Sequence, residues 1–217
     1  MEITKNVLFK NRYHINSIRL KNYDYSSNGA YFITICTKDR EYFFGEIKNG
    51  MIDLSKIGKI AKQFWQEIET IHNFIILDEW IIMPNHLHGI IFVQNNVIPL
   101  AGRDTPVACL YKNDKNDKND NNQRKFGQLQ KQSIASVINH YKGITQKWAN
   151  KNKYSQFSWQ KNYYEHIIRN EYELNSIREY IFYNPMNWKI DRNNLSVQNK
   201  KAPDGDNTPL RVSFIVN

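Results

Sequence analysis

The stretch "MPNHLHGIIF" (residues 83–92) sets two histidines one residue apart inside an apolar run. In a β-strand, side chains at i and i+2 leave the same face, so His86 and His88 present two imidazoles together while Leu87 points the other way. Neutral imidazole is the commonest protein ligand for a metal, and a pair makes half of a metal site. Two histidines with ordinary polar partners would look the same in sequence, and two alone cannot hold a metal. A third ligand has to come from elsewhere: His14, His72, His140 and His166 are available, as are Asp78 and Glu79.

The last helical segment offers another source. On a wheel of about 100° per residue, Leu174, Ile177 and Ile181 form its apolar stripe. Tyr180 and Asn184 lie one turn apart on the flank of that stripe. One helix edge, laid against the sheet, would carry a phenol and an amide oxygen to the histidines. Taken singly, each has a plainer account: Tyr180 as a boundary tyrosine, Asn184 as a cap before Pro185. A competing pattern, the His-φ-His-φ-His-φ-φ signature of the histidine-triad nucleotide hydrolases, fails at its third histidine, where this chain has Ile90.

The elements that must position these groups follow from periodicity and turn chemistry. "AYFITICT" is β-branched and aromatic, a strand. Asn49-Gly50 between apolar runs predicts a hairpin. Ser55 caps a helical pattern with Ile57, Ile60, Ala61, Phe64, Trp65 and Ile68 near the 3.6 period. Strands at about Phe74–Met83 and His86–Val93 turn on Pro84-Asn85. A helix is expected at about Gln132–Asn150, then an aromatic stretch, then a last helix capped by Asn170, with Glu173 placed for a capping box. "KNDKNDKNDNN", within residues 95–127, is a low-complexity loop. This order predicts an α+β fold, a ferredoxin-like antiparallel sheet with helices packed on one face. It predicts one domain over residues 1–190, interrupted at about 95–127, and a polar tail at 191–217.

The chain has 217 residues and a formal charge of +9, enough for one core. No run reaches the roughly 18–20 apolar residues of a membrane span, and the start has no signal-peptide core. Cys36 and Cys109 give neither a disulfide framework nor metal-ligand spacing, so an intracellular, reducing location is expected. Residues 123–169 hold nine Lys or Arg against Glu165, interleaved with Tyr141, Trp148, Tyr154, Phe157 and Trp159. Such a segment suits a phosphate backbone with bases to stack on; a solvated basic helix reads the same way.

Five blocks occur in order: "RLKNYDYSSNGAYFITICTKDREYFFGEI", "IIMPNHLHGIIF", "SIASVINHYKGITQKW", "WQKNYYEHIIRNEYEL" and "REYIFYNPMNW". Together, over Arg19 to Trp188, they resemble the single-tyrosine HUH transposases of the insertion-sequence 200/605 type, with the REP-associated tyrosine transposases as the nearest branch. The resemblance implies a ferredoxin-like fold acting on single-stranded DNA next to a hairpin or palindromic repeat. It implies a divalent metal, Mg²⁺ or Mn²⁺, held by His86, His88 and Asn184, with Tyr180 as nucleophile. Asn184 stands where the better-known branch has Gln. Attack by Tyr180 would give a 5′-phosphotyrosine and a free 3′-OH, in a protein of the bacterial cytoplasm or nucleoid. Lys142 and Lys161 become candidates for phosphate contacts, and Trp159 with Tyr163 or Tyr164 for base stacking. Core packing accounts for those aromatics equally well. Arg12, Arg19 and the N-terminal arm would help hold the hairpin. The general type forms homodimers with exchanged helices and the REP-associated branch monomers, so the resemblance leaves both open. Alternatives are a hairpin-binding protein that no longer cuts, and a phosphohydrolase of small nucleotides using the histidines.

Overall fold

Strand β1 (Gly29–Cys36) alternates between two apolar environments: Tyr31, Ile33 and Ile35 face one side, Ala30 and Phe32 the other, all buried. A strand apolar on both faces belongs in the middle of a sheet covered on both sides. The computed structural model, which describes residues 27–94 and 132–195, places it there. Arg12, Arg19, the low-complexity segment at 95–127 and the tail from 196 onward lie outside the described residues.

After β1 come a hairpin of β2 (Gly45–Lys48) and β3 (Met51–Leu54), α1 (Lys56–Gln66), a short α2 (Ile68–Ile71), and strands β4 (Ile75–Met83) and β5 (His86–Val93). Then follow α3 (Ile134–Lys151), β6 (Tyr164–Ile168) and α4 (Glu171–Tyr183). The main sheet runs β4-β5-β1-β6, every neighbouring pair antiparallel. With β2–β3 as an inserted hairpin, this is the expected α+β, ferredoxin-like arrangement. Asn49 and Gly50 carry the positive φ values, 52° and 74°, of the predicted turn.

The helices divide between the two faces rather than packing on one as expected, because β1 and β5 are apolar on both sides. α1 and α3 cover Ile33, Ile35, Leu87 and Ile91 in one core cluster. α4 lies on the opposite face, its Leu174, Ile177 and Ile181 against Ala30, Phe32, Ile90 and Phe92. That face is the one the two histidines leave, so α4 roofs them. β6 does not emerge from the sequence pattern: five residues mixing Glu165 and His166 with isoleucines form a short strand on the sheet's edge. In β4 a bulge between Leu77 and Trp80 shifts the inward phase of the strand. Asp78, within the bulge, forms an ion pair with Arg178 of α4. No helix among the described residues is long and apolar enough to cross a membrane.

Caps fix the helix ends. Ser55 Oγ accepts from Gly58 N at 3.1 Å, and Asn170 Oδ1 accepts from Glu173 N at 2.8 Å. The expected reciprocal half of the Asn170 box is redirected: Glu173 accepts from Arg169 N at 2.7 Å and pairs with His166. Gly58 packs where no side chain fits, since a Cβ there would sit 2.0 Å from the Phe44 carbonyl oxygen. That carbonyl is itself held by Ser55 N at 2.9 Å. Gly→Ala within a helix ordinarily gains about 1 kcal/mol. Gly58→Ala is instead expected to cost about 1–3 kcal/mol through overpacking. Denaturant unfolding checks this, and a gain in stability would refute the packing.

Candidate metal and nucleophile site

β5 lies between β1 and β4, so each histidine has a strand neighbour on either side. His88 stands opposite Thr34 and Ile81, and His86 opposite Cys36 and Met83. Both imidazoles are fully enclosed, with ring centroids 4.4 Å apart. Their orientation is set by partners outside the pair. His86 Nδ1 lies 2.8 Å from Asn85 Oδ1, while Asn85 Nδ2 donates to the carbonyls of Arg40 at 2.8 Å and Asn193 at 2.7 Å. An amide oxygen only accepts, so Nδ1 of His86 carries the hydrogen and Nε2 keeps its lone pair. His88 Nδ1 lies 2.8 Å from Thr34 Oγ1, which leaves its Nε2 facing α4. Outer hydrogen bonds that fix imidazole tautomers are a regular accompaniment of metal ligation.

α4 delivers the predicted pair. Tyr180 Oη is 3.2 Å from His88 Nε2. Its ring stands edge-on to Phe32 and to His88, at centroid distances of 6.1 and 5.2 Å. One turn later, Asn184 is buried at the helix C-cap and its Nδ2 donates to Asp191 Oδ2 at 3.1 Å. Two polar atoms of this centre are left buried with no hydrogen-bond partner among the described residues: His86 Nε2 and Asn184 Oδ1. Ligand atoms of His86, His88 and Asp191 all lie within 4.8 Å of one another, a group that could hold a metal ion.

Electrostatics follow from enclosure. Burial, then the Arg40 charge, pushes the His86 imidazole down to about 3. Burial, then His86, pushes His88 well below the ordinary histidine value, with Asp191 opposing. Both rings are therefore neutral donors at physiological pH. Burial, then the Asp191 charge, raises the Tyr180 phenol above its ordinary value, partly offset by a hydrogen bond from Asn184. A positive charge in this centre would reverse that penalty.

The depressed imidazoles carry a stability consequence. On unfolding, both return toward 6.5, so below that pH the unfolded chain takes up protons that the folded chain refuses. Their contribution is complete above pH 6.5 and is lost as pH falls toward the folded-state values. The slope is about 1.4 kcal/mol per pH unit for each histidine. Denaturant unfolding with a chelator at pH 7, 6 and 5 should show this decline, and His86→Ala should make it shallower. An unchanged slope in the variant would contradict the account.

The other sequence candidates lie apart from this centre. Lys142 Nζ donates to the carbonyls of Gln160 at 2.7 Å and Asn162 at 3.0 Å. Trp159 Nε1 donates to the Lys142 carbonyl at 3.1 Å, and the ring packs against Phe44, Tyr141 and Phe157. Lys161 is exposed. The loop carrying Trp159 and Lys161 runs beside the end of β1, with Gln160 N donating to Cys36 O at 2.9 Å. It thus borders the His86 end of the sheet. His166 pairs with Glu173 and His72 with His140 (3.0 Å), both away from the His86–His88 pair.

Asp191, Asn85 and Thr34 do not stand out in the sequence pattern. Asp191 opens the stretch expected as a polar tail, yet it is buried, as is Asn194. The signal available was Trp188, a large apolar residue three positions earlier, which is buried and packs against Tyr42 and His86.

No protein-family model matches the sequence. Among solved structures, the chain is similar to a REP-associated tyrosine transposase bound to a REP hairpin. The TM-score is 0.47 at 14% identity, covering 79% of this chain and 74% of that one. Among curated proteins, it is 40% identical over 185 residues to an uncharacterized protein of Haemophilus influenzae, spanning 83% of this chain and 93% of that one. The chain therefore belongs to the same family as that Haemophilus influenzae protein.

Proposed function

We propose that this chain is a metal-dependent single-stranded DNA endonuclease and strand transferase, an HUH-type tyrosine transposase that cuts beside DNA hairpins through Tyr180. The observation that carries the reading is the meeting of Tyr180 Oη with His88 Nε2 at 3.2 Å, beside two buried, unpartnered acceptors, His86 Nε2 and Asn184 Oδ1. Leaving such atoms unpaired costs about 1–3 kcal/mol each, and a cation is the partner that lone pairs without donors can share. The donor set fits: two neutral imidazoles, an amide oxygen and a nearby carboxylate suit Mn²⁺ or Mg²⁺. His86, His88 and Asn184 would hold it. When bound, the cation would polarise the scissile phosphate and ease ionisation of a nearby phenol.

The chain's residues do the rest. Tyr180 is held by its ring contacts for in-line attack. Its oxygen forms a new ester with the 5′-phosphate as the bond to the 3′-oxygen breaks. The phenol's proton is balanced by the one the leaving 3′-oxygen takes up. Because the link conserves a phosphodiester, another 3′-OH can reverse it and join new ends. Tyr180 and both histidines belong to one chain here, which favours cleavage in cis. Exposed Lys147, Lys151, Lys153, Lys161 and Arg169 supply charge for the DNA backbone.

The test is incubation with Mn²⁺ and single-stranded, hairpin-forming oligonucleotides drawn from the DNA that flanks the gene. A denaturation-resistant protein–DNA species is expected. Hairpin binding with no cleavage in Mg²⁺ or Mn²⁺ would reduce the protein to a binding module. Turnover of small nucleotides that survives Tyr180→Phe would make it a phosphohydrolase.

A further inference from the structure

Asp191 lies outside the strand and helix that supply the other polar groups, and its contacts give it a defined task. Its Oδ2 accepts from Asn184 Nδ2 at 3.1 Å and its Oδ1 from Asn193 N at 2.6 Å. An ionised carboxylate has nothing to donate, so it admits only one orientation of the Asn184 amide, nitrogen toward Asp191. The amide oxygen is thereby the atom left buried without a partner. Asparagine is one methylene shorter than glutamine, and a fixed amide plane compensates for short reach by removing the freedom to flip.

The segment bearing Asp191 is anchored from several sides. Arg40 Nη1 donates to Arg192 O at 3.3 Å and also meets Asn193 Oδ1. Tyr42 Oη donates to Asn194 Oδ1 at 2.7 Å, and Asn194 Nδ2 donates to Trp188 O at 2.9 Å. Asn85 joins this network to the histidines: one end of its amide holds Asn193 O, the other His86 Nδ1. One connected set of hydrogen bonds thus orients both His86 and Asn184.

We infer that Asp191 is a positioning residue of the cation centre, turning the Asn184 amide oxygen toward the histidines and adding a negative charge to three neutral donors. This rests on the reading of the site as a cation centre. With His86 and His88, Asp191 completes the group of mutually close ligand atoms. A carboxylate at that place raises the attraction for a dication and for no neutral ligand.

The experiment is Mn²⁺ binding to the full chain, followed by loss of the free-ion electron paramagnetic resonance signal. Asp191→Asn is expected to weaken binding by about 10–100-fold, the usual cost of losing an outer partner of a ligand. The exchange variant Asn184→Asp/Asp191→Asn keeps one carboxylate and one amide in contact, and is expected to return within a few-fold of wild type. Wild-type affinity in Asp191→Asn would overturn the inference. So would a loss that the exchange does not restore, which would make Asp191 a structural residue only. If wild type binds no Mn²⁺, or His86→Ala binds it equally well, the cation centre itself is wrong and the role of Asp191 falls with it.

Discussion

Tyr180→Phe is expected to eliminate the covalent protein–DNA species and to lower strand cleavage by on the order of 10³-fold or more, the scale seen when a nucleophile is removed. The substitution is close to a deletion of one oxygen. Phenylalanine keeps the edge-on contacts with Phe32 and His88, so the roof over the histidines stays in place. The bonds lost are the hydrogen bond from Asn184 and the 3.2 Å contact to His88 Nε2. Leaving that nitrogen unpaired should cost about 1–2 kcal/mol of stability, too little to unfold a domain of this size. Cleavage and stability therefore separate in this variant. Parallel assays of adduct formation and denaturant unfolding check both, and a persistent adduct would move the nucleophile elsewhere.

The second large effect is expected at the histidines. His86→Ala should abolish cleavage in Mn²⁺ and weaken Mn²⁺ binding by at least about 100-fold; chelating the metal from wild type should have the same result. His86 is the sharper choice of the two because its Nε2 has no partner among the described residues, whereas His88 Nε2 is engaged by Tyr180. Truncation at 86 removes a donor and leaves the tyrosine's hydrogen bond intact, so loss of activity there speaks for the cation rather than for the phenol. Binding of a hairpin oligonucleotide should survive, since the exposed basic residues are untouched. Cleavage that persisted in the chelated wild type would remove the metal from the mechanism.

Much of this arrangement is legible in the amino-acid sequence, because it rests on local periodicity. The i, i+2 spacing puts His86 and His88 on one face, and the i, i+4 spacing puts Tyr180 and Asn184 on one helix edge. Neither spacing depends on long-range packing. The side of the sheet that α4 covers is not legible: β5 is apolar on both faces, so the pattern of Ile90, Ile91, Phe92 and Val93 gives no preference. β6 is hidden by its polar residues, Glu165 and His166, which an edge strand tolerates. Asp191 is hidden for a different reason. It reaches the site through the turn after α4, held by Trp188 and by hydrogen bonds from Arg40 and Asn85, more than a hundred residues away in sequence. A carboxylate in a polar stretch carries no periodic signature. The fate of Lys142 is equally invisible, since its two carbonyl partners come from a loop that the sequence pattern does not fold.

The central claim is that Tyr180 becomes covalently joined to DNA, and the most direct measurement is where the phosphate ends up. The protein–DNA species formed with Mn²⁺ would be digested with nuclease and trypsin, and the peptide Glu179–Lys189 sequenced by mass spectrometry. That peptide holds Tyr180 and the exposed Tyr183, so fragmentation tells them apart. The account predicts a 5′-phosphonucleotide on Tyr180, with a released strand whose 3′-OH a polymerase can extend. A nucleotide on Tyr183 or another residue, or cleaved DNA with no protein attached, would contradict it.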